Sequence, residues 1–229
     1  ALLIFIGMIF VLFCMVLIMP SEEYETVNYD IPNMRDYYTH IKGNGEDKVT
    51  LMVYMIGSDL ESDGGAASED IAEMMAANAD NINITLQTGG AAAWENASIS
   101  DGKTERHIIK NGELQNMENL GEAQMTSPNT LTDFIKWSAS NYPADRYELV
   151  LWNHGGGTAL GFGYDEMYPD DMLSLSQIGN ALSNSGIKFD IVGFDACLMG
   201  TIETAYMLEP YADYLVASEE YEPGTGWYY

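Results

Sequence analysis

Residues 147–157 read YELVLWNHGGG, and residues 189–197 read FDIVGFDAC. Each opens with a short apolar run, Tyr147–Trp152 and Phe189–Phe194, that reads as a strand. Between them Ser174–Ser185 carries a helical pattern. Strand, helix and strand in this order form a parallel unit, because parallel neighbours need a crossover long enough to hold a helix. The run that follows each strand, His154-Gly155 or Asp195-Ala196-Cys197, then falls at a carboxyl end of the sheet.

The alternation continues outward in both directions. Val49–Ile56 (VTLMVYMI) is a partly β-branched apolar run closed by Gly57 and Ser58, and it reads as a strand buried on both faces. Ala66–Ala79 places Ala67, Ile71, Met74 and Met75 at helical spacing. Ile82–Gln87 is a strand ended by Gly89 and Gly90, and Arg106–Lys110 a short one. Asn129–Asn141 is a helix that buries Leu131, Phe134, Ile135 and Trp137, Thr201–Leu208 is a further helix, and Tyr214–Ala217 a last strand. The expectation is an α/β fold of three layers with a mostly parallel central sheet. Such sheets place their sites at the carboxyl ends of the strands. Four places qualify: Gly57-Ser58-Asp59, His154-Gly155, Asp195-Ala196-Cys197 and Ser218-Glu219.

A chain of 229 residues that is 47% hydrophobic can bury one ordinary core. Nine basic residues against 35 acidic ones give a formal charge of −26, which repels phosphate backbones and excludes nucleic acid as a partner. Leu2–Met19 carries no charge and is close to the roughly 20 residues that cross a bilayer, so residues 1–20 read as a transmembrane anchor or a signal peptide. The run ends Leu17-Ile18-Met19-Pro20-Ser21, without the small residues of a cleavage site, which favours the anchor. Residues 21–47 read as a stalk and 48–229 as the folded domain. Cys14 lies inside the apolar run, which leaves Cys197 as the sole cysteine of the domain, without a disulfide partner there.

Cys197 and His154 end two strands of one sheet, and neighbouring strands lie about 5 Å apart. That placement suits a nucleophile and its proton partner, with Cys197 attacking and His154 protonating the leaving amine. Gly155 has no side chain to shield its N–H, and the helix expected after Cys197 favours a thiolate, so the amides of Gly155 and Cys197 are the expected oxyanion hole. Other chemistries fail on inspection. No serine has glycines two places to each side, which excludes the esterase elbow. The run HGGGTALGFG holds no G-x-G-x-x-G fingerprint. Three histidines and one available cysteine give poor support to a zinc site.

Successive blocks then carry a resemblance over most of Val49–Trp227: VYMIGSDLES, SEDIAEMMAAN, QTGG with Trp94, YPADRYELVLWNHGGG, FDACLMG and EPGTGW. In this order they resemble the clostripain family of cysteine peptidases, and the spacing from His154 to Cys197 is close to the roughly 50 residues seen in caspases. The resemblance implies a caspase-haemoglobinase-like fold and cleavage of proteins or peptides after Arg or Lys, through a thioester acyl-enzyme, at a bacterial cell surface or in secreted form. It implies that Asp195 lines the primary specificity pocket. Glu219, Asp59 and Trp227 join that pocket by strand-end placement. A catalytically silent surface binding module on the same fold is the alternative. No cofactor and no metal ligand is required by this chemistry, although Asp165, Glu166, Asp170 and Asp171 are spaced like the calcium ligands of some relatives, or form a solvated loop. Relatives are commonly cut at a basic residue between His and Cys. Here Lys188 is the single basic residue from Tyr147 to Tyr229, so no self-cleavage is expected between Gly155 and Ile187. Relatives also continue past GTGW, so the chain reads as a C-terminally truncated domain.

Overall fold

Side chains along β1 (Val49–Ile56) alternate between two cores, and that alternation sets the architecture. Met52, Tyr54 and Ile56 enter one core, and Val53 and Met55 the other. A strand with apolar residues on both faces must be covered on both, which requires a layer of helices on each side. The computed structural model describes residues 45–77 and 80–229. The expected membrane segment, 1–20, and the stalk up to residue 44 lie outside the described residues.

Seven strands form one sheet in the order β4-β3-β2-β1-β5-β6-β7. They are β1, β2 (Ile82–Gly89), β3 (Glu105–Lys110), β4 (Glu113–Asn119), β5 (Arg146–Trp152), β6 (Phe189–Asp195) and β7 (Ala212–Ala217). From β2 through β1, β5 and β6 to β7 the neighbours are parallel, whereas β3 pairs antiparallel with β2 and with β4. The sheet is therefore mostly parallel, with a hairpin at one edge.

One core lies under α3 (Pro128–Asn141) and α5 (Leu175–Ser185) and takes Leu131, Phe134, Ile178 and Leu182 against Leu149, Leu151, Val192 and Phe194. The other lies under α2 (Ala66–Ala76), with Ala67, Ile71 and Met74 against Leu86, Val150 and Trp152. Local signals explain the helix limits. Pro128 follows the N-cap Ser127 of α3, where a missing N–H costs nothing. Ser174 and Gln177 make a reciprocal capping box at the start of α5, and Gly186 closes that helix in the left-handed region, at φ 71°. Among the described residues three short helices complete the set: α1 (Ser58–Ser62), α4 (Gly157–Leu160) and α6 (Ile202–Leu208). Among the described residues no helix is long and apolar enough to cross a membrane.

Candidate active site

The register aligns Met55 of β1 with Trp152 of β5, and Trp152 with Asp195 of β6, so three strands end on one rim. His154 stands two residues past β5 and Cys197 two past β6, and both line one cleft of about 220 Å³. Cys197 is a half-buried free thiol whose Sγ accepts the N–H of Glu222 at 3.4 Å. Gly155 passes so close to the turn at Cys197 that a Cβ on it would stand 2.0 Å from the Cys197 carbonyl oxygen, which no side chain tolerates. Its bridge to Phe162 is made by Gly156 N–H to Gly161 O (2.8 Å) and by Gly163 N–H to His154 O (3.0 Å). The Gly155 N–H itself is not spent on that bridge.

The imidazole of His154 meets Asp59 from the end of β1, with Nε2 2.8 Å from Oδ1. Burial would raise the carboxyl of Asp59, but hydrogen bonding and charge from His154, with help from Ser58, hold it below the usual value. Asn153, 3% exposed, ties the two turns together. Its amide donates to Ile56 O at 2.6 Å and to Ser58 Oγ at 2.8 Å, and its Oδ1 accepts the N–H of Tyr164. Ser58 adopts φ 51° and Leu198 φ 62°, so left-handed backbone at non-glycine residues flanks both Asp59 and Cys197.

Asp195, 5% exposed, faces the cleft together with Asp70 and Glu222. Its Oδ2 accepts the N–H of Trp227 (3.2 Å) and the hydroxyl of Tyr229 (2.9 Å). Glu222 Oε1 accepts the indole N–H of Trp227 at 3.1 Å. Burial raises the carboxyl of Asp195, an effect eased by hydrogen bonds from Trp227, Tyr229 and Glu222. The carboxyl of Glu222 is raised by burial and further by Asp195, against the hydrogen bond from Trp227. Asp70 is pushed up to about 7 by burial and by the charges of Asp195, Glu73 and Glu69, against the hydrogen bond from Trp152. Acidic groups line this cleft without a Lys or Arg among its lining residues.

A scan against protein families matches residues 53–229 to the clostripain family. The chain belongs to the clostripain family. Clostripain of Hathewaya histolytica is 30% identical over 222 residues, covering 81% of this chain and 41% of its own, so the chain spans about two-fifths of that curated relative. A secreted C11 cysteine protease from Bacteroides thetaiotaomicron, solved with an irreversible peptide inhibitor, shares the fold at TM-score 0.63 and 24% identity, over 78% of this chain and 51% of that one. An inactive zymogen C11 protease from Parabacteroides distasonis is similar at TM-score 0.58 and 26% identity, over 78% and 50%.

Within this family frame, several expected residues stand elsewhere than the sequence suggests. Asp59, expected in the specificity pocket, is bound to His154. Glu219 is exposed and does not line the cleft, whereas Glu222, three residues on, does. Trp227 stands behind the cleft, where it packs on Gly193 and holds Asp195 and Glu222 by its two N–H groups. The helix expected over Thr201–Leu208 runs from Ile202 to Leu208 with Thr201 as its cap, too far along the chain for its first amides to reach Cys197, and the amide at the sulfur comes from Glu222. In the calcium-like loop, Asp165 is buried and accepts from Met125 N and Met167 N. Glu166 accepts from Ser62 and Ala92, and Asp171 from Gln124. Among the described residues no group of three or more His, Cys, Asp or Glu is placed to hold a metal ion. Asp70, Asn153 and Glu222 are site residues that the sequence reading missed. The one available signal was their position inside or beside the blocks SEDIAEMM, WNHGGG and EPGTGW.

Proposed function

We propose that this chain is the catalytic region of a cysteine endopeptidase that cleaves proteins or peptides after Arg or Lys. The observation that carries the reading is a single cleft with Cys197 and His154 at its rim and the carboxyls of Asp195, Glu222 and Asp70 inside it. Buried acids that lack a cationic neighbour in the cleft lining favour a cationic side chain, whose charge would offset the cost of burying them and pair with the carboxylates. With Arg or Lys seated there, the scissile carbonyl lies towards Cys197. The sulfur attacks the carbonyl carbon, and the N–H groups of Gly155 and Cys197 receive the oxyanion. His154 gives its proton to the departing amine, which leaves a thioester that water then hydrolyses. The apolar run from Leu2 to Met19 and the relative described as secreted support action outside the cell, with residues 1–20 as membrane anchor or signal peptide.

Short peptide substrates that end in Arg, Lys, Asp or Leu test the reading. Turnover is expected with Arg and Lys only. It should vanish in Cys197→Ala and fall by roughly 100-fold or more in kcat/KM in Asp195→Ala, because the loss of one partner of a buried ion pair costs about 3 to 5 kcal/mol. Cleavage of Asp or Leu substrates with Arg and Lys ignored would overturn the pocket assignment.

A further inference from the structure

We infer that Asp59 is a positioning residue for His154, which makes the dyad a Cys-His-Asp arrangement in which the third member comes from β1. An imidazole has two nitrogens, and Asp59 Oδ1 engages Nε2 at 2.8 Å, so Nδ1 is the nitrogen left to exchange a proton at the cleft. A carboxylate at Nε2 fixes the tautomer and the ring plane, and it stabilises the imidazolium that forms when the thiol gives up its proton.

The surrounding structure holds Asp59 to this geometry. Ser58, fully buried, is bent into the left-handed region at φ 51°, a conformation that costs a serine roughly 1 to 3 kcal/mol and persists only where neighbours impose it. The neighbour is Asn153, which grips Ile56 O and Ser58 Oγ at once and is itself joined through the chain to His154. One side chain therefore bolts the turn that carries the carboxylate to the turn that carries the imidazole. Tyr164, whose ring centre is 6.5 Å from that of His154, is held by the same Asn153 through its N–H. Asp59 does not line the cleft, which separates it from the substrate carboxyls Asp195 and Glu222.

The inference rests on the proposed roles of His154 and Cys197, so its test carries them as controls. Asp59→Asn, Asp59→Ala, Asp59→Glu and His154→Ala are compared with wild type on an Arg-ending peptide, after thermal melts establish that each variant folds. Asp59→Asn and Asp59→Ala are expected to lower kcat by roughly 10- to 100-fold, at or below the lower end of the about 10² to 10⁴ that a positioned base supplies, because the imidazole itself stays in place, with KM little changed. Asp59→Glu should recover part of the loss. In Asp59→Asn the pH profile of kcat/KM should differ from that of wild type, because the ring has lost the carboxylate bound to Nε2. Alkylation of Cys197 by iodoacetamide, which needs no turnover, should slow at neutral pH in the same variant. A KM effect with kcat preserved would return Asp59 to substrate binding and overturn the inference. So would unaltered kcat, pH profile and alkylation in Asp59→Asn alongside an inactive His154→Ala. Full activity in His154→Ala would instead defeat the dyad itself.

Discussion

Asp70 lies 6% exposed with Oδ2 2.7 Å from the indole nitrogen of Trp152, and it shares the cleft with Glu69, Asp195 and Glu222. Its carboxyl is raised from 3.8 to about 7, so in the folded protein it holds a proton that the unfolded chain would release. The sign follows from that difference. The stabilising contribution of the neutral form is complete below about pH 4 and is lost as pH rises through about 7. Asp70→Asn keeps an oxygen acceptor for Trp152 and removes the ionisation. The variant should therefore melt with wild type near pH 4 and above it at pH 8, by on the order of 1 kcal/mol or about 2 to 4 °C. Calorimetry at the two pH values checks this, and a wild type that is more stable than Asp70→Asn at pH 8 would refute it. Position alone would not have revealed this behaviour, since Asp70 reads in sequence as an ordinary acid near a helix start.

At the level of elements, the edge hairpin β3–β4 is joined to the domain by the β2–β3 ladder and by a buried cation that reaches beyond it. Arg106, 1% exposed, donates to Gln87 (3.0 Å), Glu118 (2.9 Å) and Asp133 of α3 (2.7 Å), and its guanidinium lies 5.3 Å from the ring centre of Trp137. Removing Asp133 takes a charged acceptor from a desolvated guanidinium, worth roughly 1.5 to 3 kcal/mol. Glu122 pairs with Lys103 at 2.9 Å in the same region, but both side chains are well exposed, and such pairs contribute little. Asp133→Ala should lower the urea midpoint clearly, and Glu122→Gln should leave it unchanged. Equal effects from the two would show that burial of Arg106 does not set the energetics of this edge. The hairpin also marks where the sequence stops being legible. β1, β5 and β6 are apolar runs whose limits follow from composition, and the strand-end rule then places His154 and Cys197. β4 reads ELQNMEN and is exposed along nearly its whole length, so no alternation identifies it. Glu222 and Asn153 were hidden for a different reason. Their roles depend on a strap, residues 218–229, folding back over β6, and on a side-chain bridge between two strand ends, and neither leaves a periodic trace.

For the molecule as a whole, the connection between His154 and Cys197 is tied to the rest of the domain at several points. Phe162 bridges both Gly155 and Leu173, and Asp165 is buried against Met125 and Met167. Glu166 reaches across to Ser62 and Ala92, so the loop is held to α1 and to the end of β2. The proposed specificity for Arg or Lys finds neither residue between Gly155 and Ile187. Lys188 is the first basic residue after His154, and it sits at the start of β6 between buried Ile187 and Phe189, with Nζ 3.4 Å from Asp213. To seat Lys188 in another molecule's cleft would require β6 to leave its pairing with both β5 and β7. In the proposed role, the protein should therefore work without a cut between His154 and Cys197. Purified protein incubated at the pH of greatest activity, then followed by denaturing electrophoresis and intact mass, should keep 155–187 within one chain while it hydrolyses an Arg substrate. A stable product cut in that interval, appearing together with activity and absent from Cys197→Ala, would show that the loop opens and that the single-chain reading is wrong.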